Sequence, residues 1–227
     1  MGSTGATPGG HDRFPGFDVM SEAGHWDDVT RSVVQRRLAS PGPLSFFDAA
    51  EEVTARALCD RLLAQDAAPR VPVVEAIDER LRRHEGDGYR YDDMPEDWDA
   101  WKRSLAALDD DSRRSHNRRF AALEPSTQRD LIDDVRRHEG DWHGMPAQRI
   151  FALWMRYAAA AFYSHPWAWN EIGFPGPAYP RGYKAMAPGQ REPFEVAEAD
   201  ARDPIPWVQR VDAAHRAHDG HGRPDAS

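Results

Sequence analysis

The chain has 227 residues, enough for one sizeable domain and short for two. Its formal charge of −9, with no basic patch, excludes the surfaces that nucleic acid or anionic membranes require. Hydrophobic residues at 40% allow a core, while 30% charged residues and a mean hydropathy of −0.76 point to polar ends around a smaller packed body.

Residues 1–24 are rich in Gly, Pro, Ser and Thr and read as a flexible N-terminal segment, with Phe14, Phe17 and Val19 able to tack it down. This stretch lacks the cationic and apolar regions of a secretory signal, so the sequence reads as cytoplasmic unless the chain leaves the cell with an exported partner. The first helix is expected in "HWDDVTRSVVQRRL", with Trp26, Val29 and Val33 on one stripe. "ASPGPL" ends it. Ser45 then reads as an N-cap with Asp48 three residues on, ahead of "FFDAAEEVTARALCDRLLAQD", where Val53, Ala57, Leu58 and Leu62 are expected to face inward. The single cysteine, Cys59, lies on this helix and reads as a small buried hydrophobe; alone, it allows no intrachain disulfide.

Pro72 opens a third helix carrying Val73, Val74, Ile77 and Leu81, and Pro95 precedes one carrying Trp98, Trp101, Leu105 and Leu108. "DDDS" is expected to begin a separate segment ending in Phe120 and Leu123, and Pro125 a helix through Leu131, Ile132 and Val135. After Pro146, "AQRIFALWMRYAAAAFY" is apolar nearly all round and reads as the most buried helix, too short and too charged to span a membrane. No stretch alternates with period 2. The expected fold is therefore all-α: a single irregular bundle of about six to eight helices over residues 25–184. Residues 185–227 form an acidic tail with a short amphipathic helix at Trp207, Val208 and Val211.

Two copies of "RRHEGD", at Arg82–Asp87 and Arg136–Asp141, end helices and read as caps. The competing reading is a metal site built from His84, His138, Glu85 and Glu139, which would make the chain a stand-alone metal-dependent enzyme. Adjacent His and Glu point about 100° apart on a helix, which disfavours it. No dinucleotide fingerprint, phosphate loop, zinc-protease motif, nucleophile elbow or haem-attachment motif occurs, so no catalytic residue and no cofactor is assigned to this chain.

The segment "SHPWAWNEIGFPGPAYPRGY" is different in kind. It holds two Trp, one Phe, two Tyr, four Pro and three Gly, and follows the most apolar helix directly. Ser164 reads as the cap of a short helix stopped by Gly173, and the prolines beyond exclude helix or central strand. Stiff backbone and large aromatics either close the end of the bundle or form an interaction surface with little entropy left to lose. On the second reading the partner-binding residues are His165, Trp167, Trp169, Asn170, Glu171, Phe174, Tyr179, Arg181 and Tyr183.

The run "AFYSHPWAWNEIGFPGPAYPRGY" resembles the C-terminal signature of the gluconate 2-dehydrogenase subunit 3 family, with weaker likeness in "VPVVEAIDERL", "SLAALDDDSRRSHNRRFAAL" and "EPSTQRDLIDDV". The resemblance covers roughly residues 46–184. It implies a non-catalytic small subunit that binds and stabilises a GMC-type (glucose-methanol-choline) flavoprotein acting on sugars or alcohols. FAD and the catalytic base then sit in the large subunit, and in many members a multihaem cytochrome c takes the electrons. Here "AWNE" stands where the family commonly has Gly-Gly-Asn, and no export signal is read. A scaffold for some other partner is the remaining alternative.

Overall fold

In the computed structural model the described residues are 5–10, 13–39, 42–185, 187 and 190–196; the helix expected around Trp207 and the histidines at 215, 218 and 221 lie outside them. Seven α-helices carry the described chain: α1 (Asp28–Arg37), α2 (Ala49–Leu62), α3 (Val73–Arg82), α4 (Asp97–His116), α5 (Pro125–Arg137), α6 (Ala147–Tyr163) and α7 (Pro166–Ile172). Short 3₁₀ turns occupy Pro8–Gly10, Val19–His25 and Phe120–Ala122. Two-residue strands β1 (Asp141–Trp142) and β2 (Met145–Pro146) pair across a turn in which His143 and Gly144 both take left-handed backbone. The fold is all-α apart from this small hairpin.

α6 is the central helix, packed against α2, α3, α4, α5 and β2. Its Ile150, Leu153, Trp154, Tyr157 and Ala158 are buried, with Trp101, Leu105 and Leu108 from α4 and Val74, Ile77 and Leu81 from α3 in the same cluster. The Trp154 indole N–H donates to Ser104 Oγ at 2.9 Å, so a large aromatic is buried with its polar atom satisfied. A second, smaller cluster joins Val19, Trp26 and Val34 to Trp169, with Phe17 and Met20 packed against it.

Several elements differ from the sequence expectation, each for a local reason. α1 starts at Asp28 with Asp27 as its cap, so Trp26 precedes the helix and Val34, not Val33, is its buried valine; Val29 is 72% exposed. α2 is capped by Asp48 in a reciprocal box with Glu51, and its inward face is Thr54, Ala55, Leu58 and Cys59, leaving Val53 in solvent. Ser45 is not the cap. α4 runs straight through "DDDS" to His116, because Asp109 and Ser112 there are buried and hydrogen-bonded: Ser112 Oγ donates to Arg118 O at 2.7 Å. The two "RRHEGD" copies diverge. In the first, His84 itself takes the left-handed position after α3; in the second, His138 is extended and Gly140 makes the turn. Cys59 is buried as expected, and burial pushes its thiol well above the usual range.

The loops are tied by buried polar side chains. Asp78 on α3 accepts the backbone N–H groups of Ser45, Phe46 and Phe47, each at 2.9 Å. Asp109 on α4 accepts from Phe120 N–H at 3.0 Å and from Thr54 Oγ1 at 3.3 Å. Gln65 exchanges two hydrogen bonds with Val71, and Gln128 donates to the carbonyls of Phe120 and Leu123. Replacing Asp78 by Ala leaves three N–H groups without their acceptor. The expected cost is about 3–5 kcal/mol, read as a lower urea midpoint at unchanged slope, with Asp78→Asn losing less because one acceptor oxygen remains.

Candidate functional site

The Ser164–Tyr183 segment is built by successive helix ends. α6 stops at Ser164, whose hydroxyl donates back to Ala161 O at 2.8 Å; the expected cap of the next helix thus belongs to the previous one. His165 caps α7 instead: its Nδ1 accepts the Trp167 N–H at 3.2 Å, with Pro166 in the first turn. Gly173 ends α7 in left-handed backbone, and Phe174 N–H closes on Trp169 O at 2.9 Å.

Beyond α7 the chain runs against the N-terminal segment. The Asn170 side chain is 1% exposed; its Oδ1 accepts the Val19 N–H at 2.8 Å and its Nδ2 donates to Ala6 O at 3.1 Å. A Cβ at Gly176 would lie 2.4 Å from the Trp26 ring, and one at Gly173 2.8 Å from the Phe14 ring, so both glycines are places where an aromatic lies directly on backbone. Arg181 Nη1 pairs with Glu22 at 2.6 Å, and its guanidinium lies 3.7 Å from the centre of the Phe194 ring. Residues 5–10 and 13–26, the segment expected to be flexible, thus pack along the aromatic segment, and Val19 is fully buried there.

The nine residues read from sequence as partner-binding divide into three groups. His165, Trp169 and Asn170 are buried, and Trp169 donates its indole N–H to Tyr163 O at 2.6 Å; these three face the chain's own interior. Trp167, Glu171 and Arg181 are half-buried. Phe174, Tyr179 and Tyr183 are exposed, Tyr179 by 66%. Ile172, 45% exposed, joins them and was not picked out in the sequence because its helical neighbours conceal which face it takes. The outcome is a segment with an inner face of anchors and an outer face of large apolar side chains.

Among the described residues no group of three His, Cys, Asp or Glu is placed to hold a metal ion. His84 stacks on Trp98 with ring centres 4.1 Å apart, and His138 Nε2 sits 3.0 Å from Asp141 O, each at its own helix end. Among the described residues no helix is long and apolar enough to cross a membrane.

The fold and this segment define a small helical protein with one stiff aromatic face. Residues 49–176 match the family model for gluconate 2-dehydrogenase subunit 3, and the chain belongs to that family. The match is shorter than the likeness read from sequence: it ends at Gly176, before Tyr179 and Tyr183, and begins after the N-terminal segment and α1. No curated protein and no solved structure matches the chain.

Burial pushes the His165 imidazole down to about 4, against a hydrogen bond with the Arg37 backbone that favours the proton and with a smaller push from the Arg37 charge. Unfolded, this group titrates near 6.5. The unfolded chain therefore binds more protons between those values, so the stabilisation is complete above about pH 6.5 and is lost as pH falls toward 4. The melting temperature of His165→Gln is expected to fall less than that of the parent between pH 7.5 and 4.5. Parallel falls would show that protonation at this site costs the fold nothing.

Proposed function

We propose that this chain is the non-catalytic small subunit of a flavin-dependent dehydrogenase complex. It docks on a GMC-type flavoprotein that acts on a sugar or alcohol, and stabilises it. The family membership supports the accessory role, and the outer face of residues 172–183 supports docking. Large apolar side chains normally leave the surface of a soluble body. Here Ile172, Phe174, Tyr179 and Tyr183 stay exposed on a backbone whose shape is already set by prolines and internal anchors. Such a surface loses little conformational entropy when it meets a partner, and tyrosine is among the residues that dominate binding energy.

On this reading FAD and the proton-abstracting base belong to the large subunit, and electrons pass from it to a cytochrome c. The small subunit holds neither. His165, Trp169 and Asn170 act from within, by fixing the backbone that carries the exposed residues, while Trp167, Glu171 and Arg181 lie at its rim.

The test is co-expression with a tagged GMC-type flavoprotein encoded beside this gene. The chain is expected to co-purify, and the flavoprotein to lose solubility or activity without it. The Tyr179→Ala, Tyr183→Ala double variant is expected to weaken the complex by about tenfold or more, as loss of central aromatic contacts does. Its own melting temperature should move by no more than about 2 °C, since Tyr179 is mostly in solvent and Tyr183 is half exposed, resting only on Phe194 near the end of the described chain. A flavoprotein that is fully active alone and never retains the chain overturns the proposal.

A further inference from the structure

The N-terminal segment lies outside the part of the chain that matches the family model, yet it occupies the inner side of the docking segment. Its contacts have the character of a bound peptide. One backbone N–H, at Val19, and one carbonyl, at Ala6, are both taken by the amide of Asn170. Side chains then fill places shaped for them: Val19 is fully buried, Trp26 is 3% exposed and lies on Gly176, and Phe14 lies on Gly173. An ion pair, Glu22 with Arg181, closes the far end. The main core, meanwhile, draws every one of its buried members from Phe47 to Ala158, none from this segment.

We propose that α7 and residues 173–176 form a peptide-binding groove, that its ligand is this chain's own residues 13–26, and that occupancy sets the conformation of residues 173–183. The ligand class is an apolar-aromatic segment that enters a 3₁₀ turn at Val19, with that residue's N–H pairing with Asn170 and hydrophobic anchors at Phe14 and Trp26 on either side. Recognition follows from the parts. Asn170 gives its Oδ1 to the Val19 N–H, so its amide reads one backbone group of residues 13–26, while its Nδ2 holds Ala6 O upstream of the ligand. Gly173 and Gly176 carry no side chain, so aromatic rings reach the groove floor and pack on backbone. A methyl at Gly176 would collide with Trp26 while its positive φ is disfavoured for any other residue, so the groove admits only glycine there.

Filling the groove matters for docking because the loop has few ties of its own. Among its backbone amides, Gly173, Phe174 and Gly182 donate within the segment, to Asn170 O, Trp169 O and Ala178 O. Further constraint comes from the rings of Phe14 and Trp26 beneath it, from Arg181 held by Glu22, and from Phe194 against Arg181 and Tyr183. Asn170, Trp26 and Gly176 are therefore positioning residues. This inference rests on the docking role proposed above only for its biological purpose; the groove and its ligand stand on contacts inside one chain.

The experiment uses the full-length chain with the segment released by Val19→Asp and Trp26→Ala. Amide hydrogen exchange is followed by NMR at Phe174 and Gly182 in the loop and at core amides of α4 and α6. The loop amides are expected to exchange about tenfold faster or more, with the core amides unchanged, as in local opening. A synthetic peptide of residues 13–26, at about the millimolar effective concentration that a tether supplies, should restore slow exchange. The same peptide carrying Val19→Asp should not. Unchanged loop exchange in the released chain overturns the proposal. So does faster exchange throughout α4 and α6, which would make the segment part of one cooperative core. Failure of the unmodified peptide to restore protection overturns it too. Co-purification with the flavoprotein separates the two proposals: a released loop that still binds normally leaves both standing but unlinked, and a parent chain that never binds removes the docking role while leaving the groove intact.

Discussion

Backbone N–H and C=O groups cannot be buried unpaired, and that constraint shapes several of the connections among the described residues. The helices are joined by segments too irregular to pair with one another. Their groups are instead met by side chains projecting from neighbouring helices: Asp78 for residues 45–47, Asp109 for Phe120, Gln65 for Val71, Gln128 for Phe120 and Leu123, Asn170 for Val19 and Ala6. Each is nearly or fully buried. Each therefore fixes where a loop sits with the strength of a desolvated hydrogen bond. Without these five the apolar faces would still collapse, but the connections between them would have no single path.

The Ser164–Tyr183 segment is the last and most elaborate case. Its helix α7 is too short to be stable on its own account. It persists because His165 caps it, Pro166 starts it, Gly173 stops it, and Trp169 is packed in a cluster shared with Val19, Trp26 and Val34. Burial of those anchors leaves the outer side chains, Ile172, Phe174, Tyr179 and Tyr183, presented on a backbone with little freedom. The chemistry of the segment is thus divided by side: polar groups are consumed inside, and apolar area is displayed outside. That division suits recognition of a protein better than turnover of a small molecule.

How much of this could be read beforehand varies with the physics involved. α3, α5 and α6 were legible because long runs of helical periodicity leave one phase, and Pro72, Pro125 and Pro146 mark their starts. The phase of α1 and α2 was misjudged, because Val29 and Val53 look like core residues until the cap residue, Asp27 or Asp48, sets the register. The hairpin at Asp141–Pro146 was hidden by its length; two residues cannot show alternation. Within the site, composition revealed the segment but not its sides. His165, Trp169 and Asn170 look as outward as Tyr179 in sequence. What turns Trp169 and Asn170 inward is the N-terminal segment some 150 positions earlier, a tertiary fact that local pattern does not carry.

The pairing of Val19 with Asn170, 151 positions apart, also orders events during synthesis. At roughly 5–20 residues per second, the segment that fills the groove is made about 8–30 s before the groove exists. Over that interval its valine, phenylalanines and tryptophan have no intramolecular destination. The helices from α2 to α6 meanwhile complete a core that does not need them. Closure then comes late, because α7, which carries Trp169 and Asn170, is made after α2 to α6. A nascent chain of this design offers an apolar-aromatic peptide to its surroundings first and withdraws it only when α7 is finished.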